Sequence, residues 1–137
     1  SRFSDAHQKD YARALREIKN GRKETHWMWY IFPQIDGLGH SDMAKYYGIK
    51  NLHEAFEYTQ NVYLWNNLKE ITNALLELDN NDIIDIMGYT DSIKLKSCMT
   101  LFYIVSSLDI FMKVLDKYFN SELDRNTIWM ITRRDVD

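Results

Sequence analysis

Leu64, Leu68, Ile71, Leu75 and Leu78 recur at intervals of three and four residues, and only an α-helix turns that spacing into one continuous apolar stripe. The same interval returns along the chain. Tyr11, Ala14, Leu15 and Ile18 form one stripe, Leu95, Cys98, Met99, Phe102 and Val105 a second, and Leu108, Phe111, Met112, Leu115 and Phe119 a third. No stretch alternates apolar and polar residues for long enough to demand a sheet, and no internal repeat or linker interrupts the pattern. The chain is therefore predicted to be all-α: a single compact domain over residues 1–137, built from about seven or eight helices, several of them short. Residues 131–137 are expected to form a frayed tail.

Local signals place the boundaries. Asp5 and Gln8 have capping-box spacing and predict a first helix from about Ser4 or Asp5, which Asn20-Gly21 stops. Residues 26–32 can be read as a strand or a short buried helix; the helical surroundings favour a helix capped by Thr25 and ended by Pro33. Ser41 should cap a helix through Tyr47, and Asn51 with Glu54 another to about Thr59. The Asp79-Asn80-Asn81 cluster ends the long helix after Leu78. Asp82 to Met87 reads as one short helix closed by Gly88. Further starts are expected at Asp91 or Ser92 and at Ser107, with a last helix from about Asp124 to Ile131.

With 137 residues, 45% of them apolar, such a domain can bury roughly two thirds of its unfolded surface and needs no covalent or metal staple. Cys98, the single cysteine, has no partner in the chain, which agrees with a reducing compartment and excludes a Cys-based zinc site. The longest apolar run, Trp27 to Phe32, is far short of the ~20 residues that span a bilayer, and no apolar leader precedes the first polar helix. A cytoplasmic protein with no membrane association is expected. His7, His26, His40 and His53 are not paired at i, i+4, and no cofactor or metal site is predicted.

The formal charge of −3 argues against a partner such as long nucleic acid, but the charge is uneven. Residues 1–25 carry seven Lys and Arg against four Asp and Glu. A basic segment on an acidic body favours a small anionic ligand over a long polyanion; the same charges also describe an ordinary solvated helix face. No pattern in the sequence sets an oligomeric state.

Three clusters can carry chemistry. The first runs from Gly21 to Gln34 and concentrates Arg22, Lys23, His26, Trp29, Tyr30 and Gln34. If residues 26–32 are helical, His26, Trp29 and Tyr30 share a face, and aromatic surface beside cations can stack a ring and neutralise an anion. So many aromatics in one segment equally make the centre of a core. The second is Gly37-Leu38-Gly39-His40-Ser41 leading into a helix, where backbone N–H groups and the helix dipole favour an anion; it is also an ordinary loop and cap, without the ending of a P-loop. The third holds Lys94 and Ser97 on one helical face. A lysine near a serine can activate it as a nucleophile or help it bind an oxyanion, or the pair is a solvated lysine and a helix contact. Cys98, at an apolar position, reads as an inert thiol.

The segments Gly21-Arg22-Lys23-x-x-His26-Trp27-Met28-Trp29-Tyr30-Ile31-Phe32-Pro33-Gln34, Gly37-Leu38-Gly39-x-Ser41, Ile86-Met87-Gly88-x-x-Asp91 and Lys94-Leu95-x-Ser97-x-Met99-Thr100-Leu101-Phe102 resemble the DUF1810 family, some of whose members carry the name calpastatin. The resemblance runs over nearly the whole chain. It implies a mainly helical single domain and no particular reaction. The name does not suit this chain, because calpastatin is a disordered repeat protein and this composition forms a core. Three positions depart from the family: His7 stands where glutamine is frequent, His40 where arginine is common, and Cys98 where a second serine often follows Ser97.

Together these features predict one pocket. Arg22, Lys23, Lys94 and the backbone of Gly37, Gly39 and Ser41 would hold an anionic group of a nucleotide or ADP-ribose-like molecule, with Gln34 beside them, while Trp29 and Tyr30 stack its ring. Whether the pocket only binds or also hydrolyses is left open; for turnover, His26 would serve as acid or base and Ser97 as the alternative nucleophile. The competing expectation is a non-enzymatic interaction module whose aromatic motif is mainly core and whose basic first helix meets a protein partner.

Overall fold

A computed structural model describes the backbone of residues 1–136 and side chains through Arg133. Among these residues the chain forms nine helices: α1 (Arg2–Lys19), α2 (Met28–Ile31), α3 (Asp42–Tyr47), α4 (Leu52–Gln60), α5 (Val62–Leu76), α6 (Ile83–Met87), α7 (Tyr89–Ser106), α8 (Asp109–Tyr118) and α9 (Arg125–Val136). No strand occurs among the described residues. An isolated parallel bridge between Ile35 and Ile49 ties the loop after α2 to the end of α3; its hydrogen bonds run from the Ile49 N–H to the Gln34 carbonyl at 2.9 Å and from the Asp36 N–H to the Ile49 carbonyl at 2.7 Å.

The core lies between α5, α7 and α8, with α1 laid along α5 and α4 bridging α5 and α7. The leucine stripe points inward as predicted: Leu64, Leu68, Ile71 and Leu75 are all buried. An aromatic knot joins four of these elements, with Phe102 of α7 at ring-centroid distances of 5.2 Å from Tyr58 of α4, 5.9 Å from Trp65 of α5 and 6.2 Å from Phe111 of α8. Helix α7 departs from the one-sided stripe read in its sequence. Every residue from Ser97 to Phe102 is buried, so it is packed on several sides at the centre of the fold.

Several predicted boundaries shift, each for a visible reason. Helix α1 begins earlier because Ser1 accepts the Ser4 N–H at 3.2 Å, so Asp5 lies inside the helix and caps nothing. Thr25 does not cap α2; its N–H and hydroxyl both go to Glu17. Helix α7 starts at Tyr89, directly after Gly88, rather than at Asp91 or Ser92. Ser107 closes α7 in a left-handed conformation, φ 59°, rather than opening α8. The expected tail is helical as far as Val136 and Ile131 is buried, because Ile131 still packs on the core; Asp137 lies outside the described residues. Ser41 and Asn51 cap α3 and α4 as the sequence indicated, and Asp82, read as the first residue of α6, is instead its N-cap.

His7 is buried, held between α1, α2 and α5. Its Nε2 lies 2.7 Å from the Tyr30 carbonyl and its Nδ1 lies 3.1 Å from the Asn67 amide nitrogen. A carbonyl can only accept and an amide NH2 can only donate, so the ring is the neutral tautomer protonated at Nε2. Burial lowers its pKa below 6.5, against the opposing pull of the Tyr30 carbonyl. The unfolded chain therefore takes up this proton before the folded one does, so the stabilisation is complete above about pH 6.5 and declines as the pH falls below it. Urea midpoints should drop between pH 7.5 and 5.5, and the His7→Gln variant should lose that part of the slope; an equal slope in both would assign the pH dependence elsewhere.

Candidate functional site

The first motif is shaped by Glu17 of α1. The carboxylate Oε1 accepts the Glu24 N–H at 2.7 Å, the Thr25 N–H at 3.0 Å and the Trp27 indole N–H at 3.0 Å, and Oε2 accepts the Thr25 hydroxyl at 2.5 Å. Desolvation pushes its pKa up, but the four hydrogen bonds outweigh it and hold the carboxyl at about 2. These bonds fold residues 21–27 back on α1 and drive Trp27, Met28, Tyr30, Ile31 and Phe32 into the core. Tyr30, expected to stack a ligand, is a core residue. Its hydroxyl donates to the Asp10 carboxylate, and burial followed by that bond raises its phenol pKa. Trp29, on the other side of α2, remains half-buried.

Lys23 and Lys94 meet at one carboxylate. Asp91 Oδ2 lies 2.9 Å from Lys23 Nζ and Oδ1 lies 3.3 Å from Lys94 Nζ. Each ammonium also sits over an indole, Lys23 at 4.7 Å from the Trp27 ring centroid and Lys94 at 4.0 Å from that of Trp29. The result is a row of tryptophan, lysine, aspartate, lysine and tryptophan that fastens the first motif to the start of α7.

Beside this row opens a cavity of about 250 Å³. Its apolar wall is Trp29, Leu38 and Ile93, and its polar wall comprises Gln34, Thr90, Lys94, Ser97, Asp124 and Asn126, with the Gly39 backbone at the rim. Gly39 is required by close packing: a Cβ there would stand 2.9 Å from the Ala44 Cβ and 3.4 Å from Trp29 Cη2. Gln34 is 8% exposed as a residue, and its carboxamide, with two donors and an acceptor, lines the cavity without a hydrogen-bond partner among the described residues. The Ser97 hydroxyl lies 3.2 Å from both the Ile93 carbonyl and Asp124 Oδ2, which share its one proton.

The three clusters singled out in the sequence thus contribute Trp29, Gln34, Gly39, Lys94 and Ser97 to one concave site. The others lie elsewhere. Lys23 and His26 line a smaller adjoining dent of about 60 Å³, with His26 exposed. Arg22 is exposed and lines neither depression, because the turn at Gly21, φ 79°, directs the chain away before Lys23. Gly37 only turns the loop, and the Ser41 hydroxyl is used in capping α3 through the Ala44 N–H at 3.1 Å. Cys98 is fully buried, and burial pushes its thiol pKa well above 9.0, so it is chemically quiet. Sequence reasoning missed Asp124 and Asn126. Their only local signal was a helix start, with Asp124 three residues before Thr127, and such a signal carries no information about a cavity built mainly by distant segments.

Among the described residues no group of three or more His, Cys, Asp or Glu side chains could hold a metal ion, and no helix is long and apolar enough to cross a membrane. Fold and site together define a helical single-domain protein with a small mixed-polarity cavity between the loop after α2, the start of α7 and the start of α9. The chain belongs to the DUF1810 family, described as a protein of unknown function, whose model matches residues 1–131. It is similar to the crystal structure of the conserved hypothetical protein Rv1873 from Mycobacterium tuberculosis, at 38% sequence identity and a TM-score of 0.93, over 96% of this chain and 94% of that one. No curated protein matches it.

Proposed function

We propose that the cavity beside Trp29 binds the planar heterocycle of a nucleoside-like small molecule. The observation that carries this reading is Gln34. Its carboxamide makes no hydrogen bond to the described residues and lines the cavity, so a donor and an acceptor stand side by side for a ligand edge presenting an acceptor beside a donor, as a nucleobase does. Trp29, Leu38 and Ile93 supply the flat apolar contact. At about 250 Å³ the cavity lies just below the usual range of ligand pockets, roughly 300–1,000 Å³, which suits a base better than a whole ADP-ribose.

Charge refines the anionic expectation. Lys94 offers one positive group, but Asp91 already shares it and Asp124 places a negative group on the same wall. An anionic substituent would therefore have to lie on the Lys94 side. Binding rather than turnover is what this geometry supports, since His26 faces the neighbouring dent.

Thermal denaturation against a millimolar panel of the common ribonucleosides tests the reading. Ligand at about 100 times its dissociation constant adds about 2.7 kcal/mol, a shift of several degrees for a domain of this size. Gln34→Leu should abolish the shift while leaving the ligand-free protein about as stable, because the carboxamide makes no hydrogen bond to the rest of the described protein. No shift with any nucleoside, or an undiminished one in the variant, would overturn the reading. It would favour the interaction module, whose premise that most of the aromatic motif is core agrees with the burial of Trp27, Tyr30 and Phe32.

A further inference from the structure

Asp124 stands where two depressions meet. It lines the cavity beside Trp29 and also an adjoining groove of about 480 Å³ bordered by Lys96, Glu122 and Arg125, and Asn126 is likewise common to both. Any ligand seated in the first and extending into the second must pass this carboxylate.

The carboxylate is held in a fixed orientation. Oδ2 takes the Thr127 N–H at 2.9 Å, the Thr127 hydroxyl at 2.6 Å and the Ser97 hydroxyl at 3.2 Å. Oδ1 accepts no hydrogen bond among the described residues. One oxygen therefore anchors the group to α7 and α9 while the other keeps its lone pairs free. An ionised carboxylate only accepts, so the ligand at this point must bring donors. Phosphate and carboxylate groups bring none and would be repelled, whereas hydroxyls are well matched.

We infer that Asp124 reads a vicinal diol, the 2′,3′-hydroxyls of a ribose, at the junction between the two depressions. The inference rests on the nucleoside reading and sharpens it. The base occupies the cavity beside Trp29 and Gln34, the sugar hydroxyls donate to Asp124 Oδ1, and the 5′ substituent leaves toward the groove of Lys96 and Arg125. An acidic side chain on ribose hydroxyls is a recurrent arrangement in nucleotide sites. Here it would distinguish ribonucleosides from deoxyribonucleosides, because a site built around hydroxyl donors rejects a ligand that lacks them.

The test is calorimetric titration of the whole chain with three ligands sharing the base that gives the largest thermal shift: the ribonucleoside, its 2′-deoxy form and its 2′,3′-dideoxy form. The ribonucleoside should bind at least about tenfold more tightly than the dideoxy form. In Asp124→Asn the gap should shrink to about twofold or less; asparagine caps a helix about as well as aspartate, so α9 is kept. Equal affinity of the parent for all three ligands would overturn the diol inference and leave the base reading standing. Binding of none of them would overturn both.

Discussion

Replacing Glu17 by alanine is expected to destabilise the protein by about 4 kcal/mol. Four donors lose their acceptor at once. Two of them, the Glu24 and Thr25 amides, lie close enough to solvent to find water, but the indole of Trp27 is fully buried and is left without a partner. Glu17→Gln should cost less, about 2 kcal/mol, because the amide oxygen can still accept from some of these donors while its NH2 faces the rest. The carboxyl, held at about 2 against an ordinary 4.5, makes the effect dependent on pH. Its contribution is complete above pH 4.5 and disappears as the pH falls through 2, so parent and Glu17→Gln should converge in acid. Urea denaturation at pH 7 and at pH 3 measures both effects. A loss below 1 kcal/mol at pH 7 would show that the bonds around residues 24–27 are replaced by water at little cost.

Asp91→Ala is the second large effect, at about 3 kcal/mol. Removing the carboxylate leaves the Lys23 ammonium, whose side chain is only 6% exposed, with the Thr25 carbonyl and the Trp27 ring as its remaining partners. A buried ion that loses its counter-ion costs far more than the pair is worth, so Lys23→Met should be much milder, and the double variant should recover much of the loss. Lys94 behaves differently. Its Nζ is freed from Asp91 but keeps its place over Trp29, so the folded double variant should bind an anionic ligand in the cavity more tightly than the parent. If Asp91→Ala and Lys23→Met cost the same and simply add, the two side chains are independent and the row of charges and rings holds nothing together.

The contrast between Trp27 and Trp29 illustrates what could be read in advance. Both lie in one aromatic run, and periodicity places them on different faces of a short helix. Which face meets the core depends on where Glu17 pulls the loop, and the two partners are ten residues apart. Tyr30 was assigned to the ligand by its spacing from His26 and Trp29, yet it faces Asp10 and Tyr47, because α2 lies against α1 and α3. Lys94, Ser97 and Gly39 were legible as chemistry-bearing residues because each stands beside residues that imply a helix start or a shared helical face. Asp124 was not, since its role depends on α9 crossing α7 some 27 residues away in the chain.

The sequence by itself determined the all-helical class, most of the segments that become helices, the residues that fill the core, and the three segments that supply much of the cavity. Those properties follow from residue spacing, caps and apolar content, which act within a few positions along the chain. Only the tertiary structure decided which of the candidate side chains meet. It buried Tyr30, left Arg22 in solvent, set Lys23 and Lys94 on the two oxygens of one carboxylate, and left the Gln34 amide and one oxygen of Asp124 without partners at the cavity. Such outcomes depend on how helices distant in sequence pack against one another, because a polar group becomes available to a ligand only when every neighbouring element has failed to satisfy it.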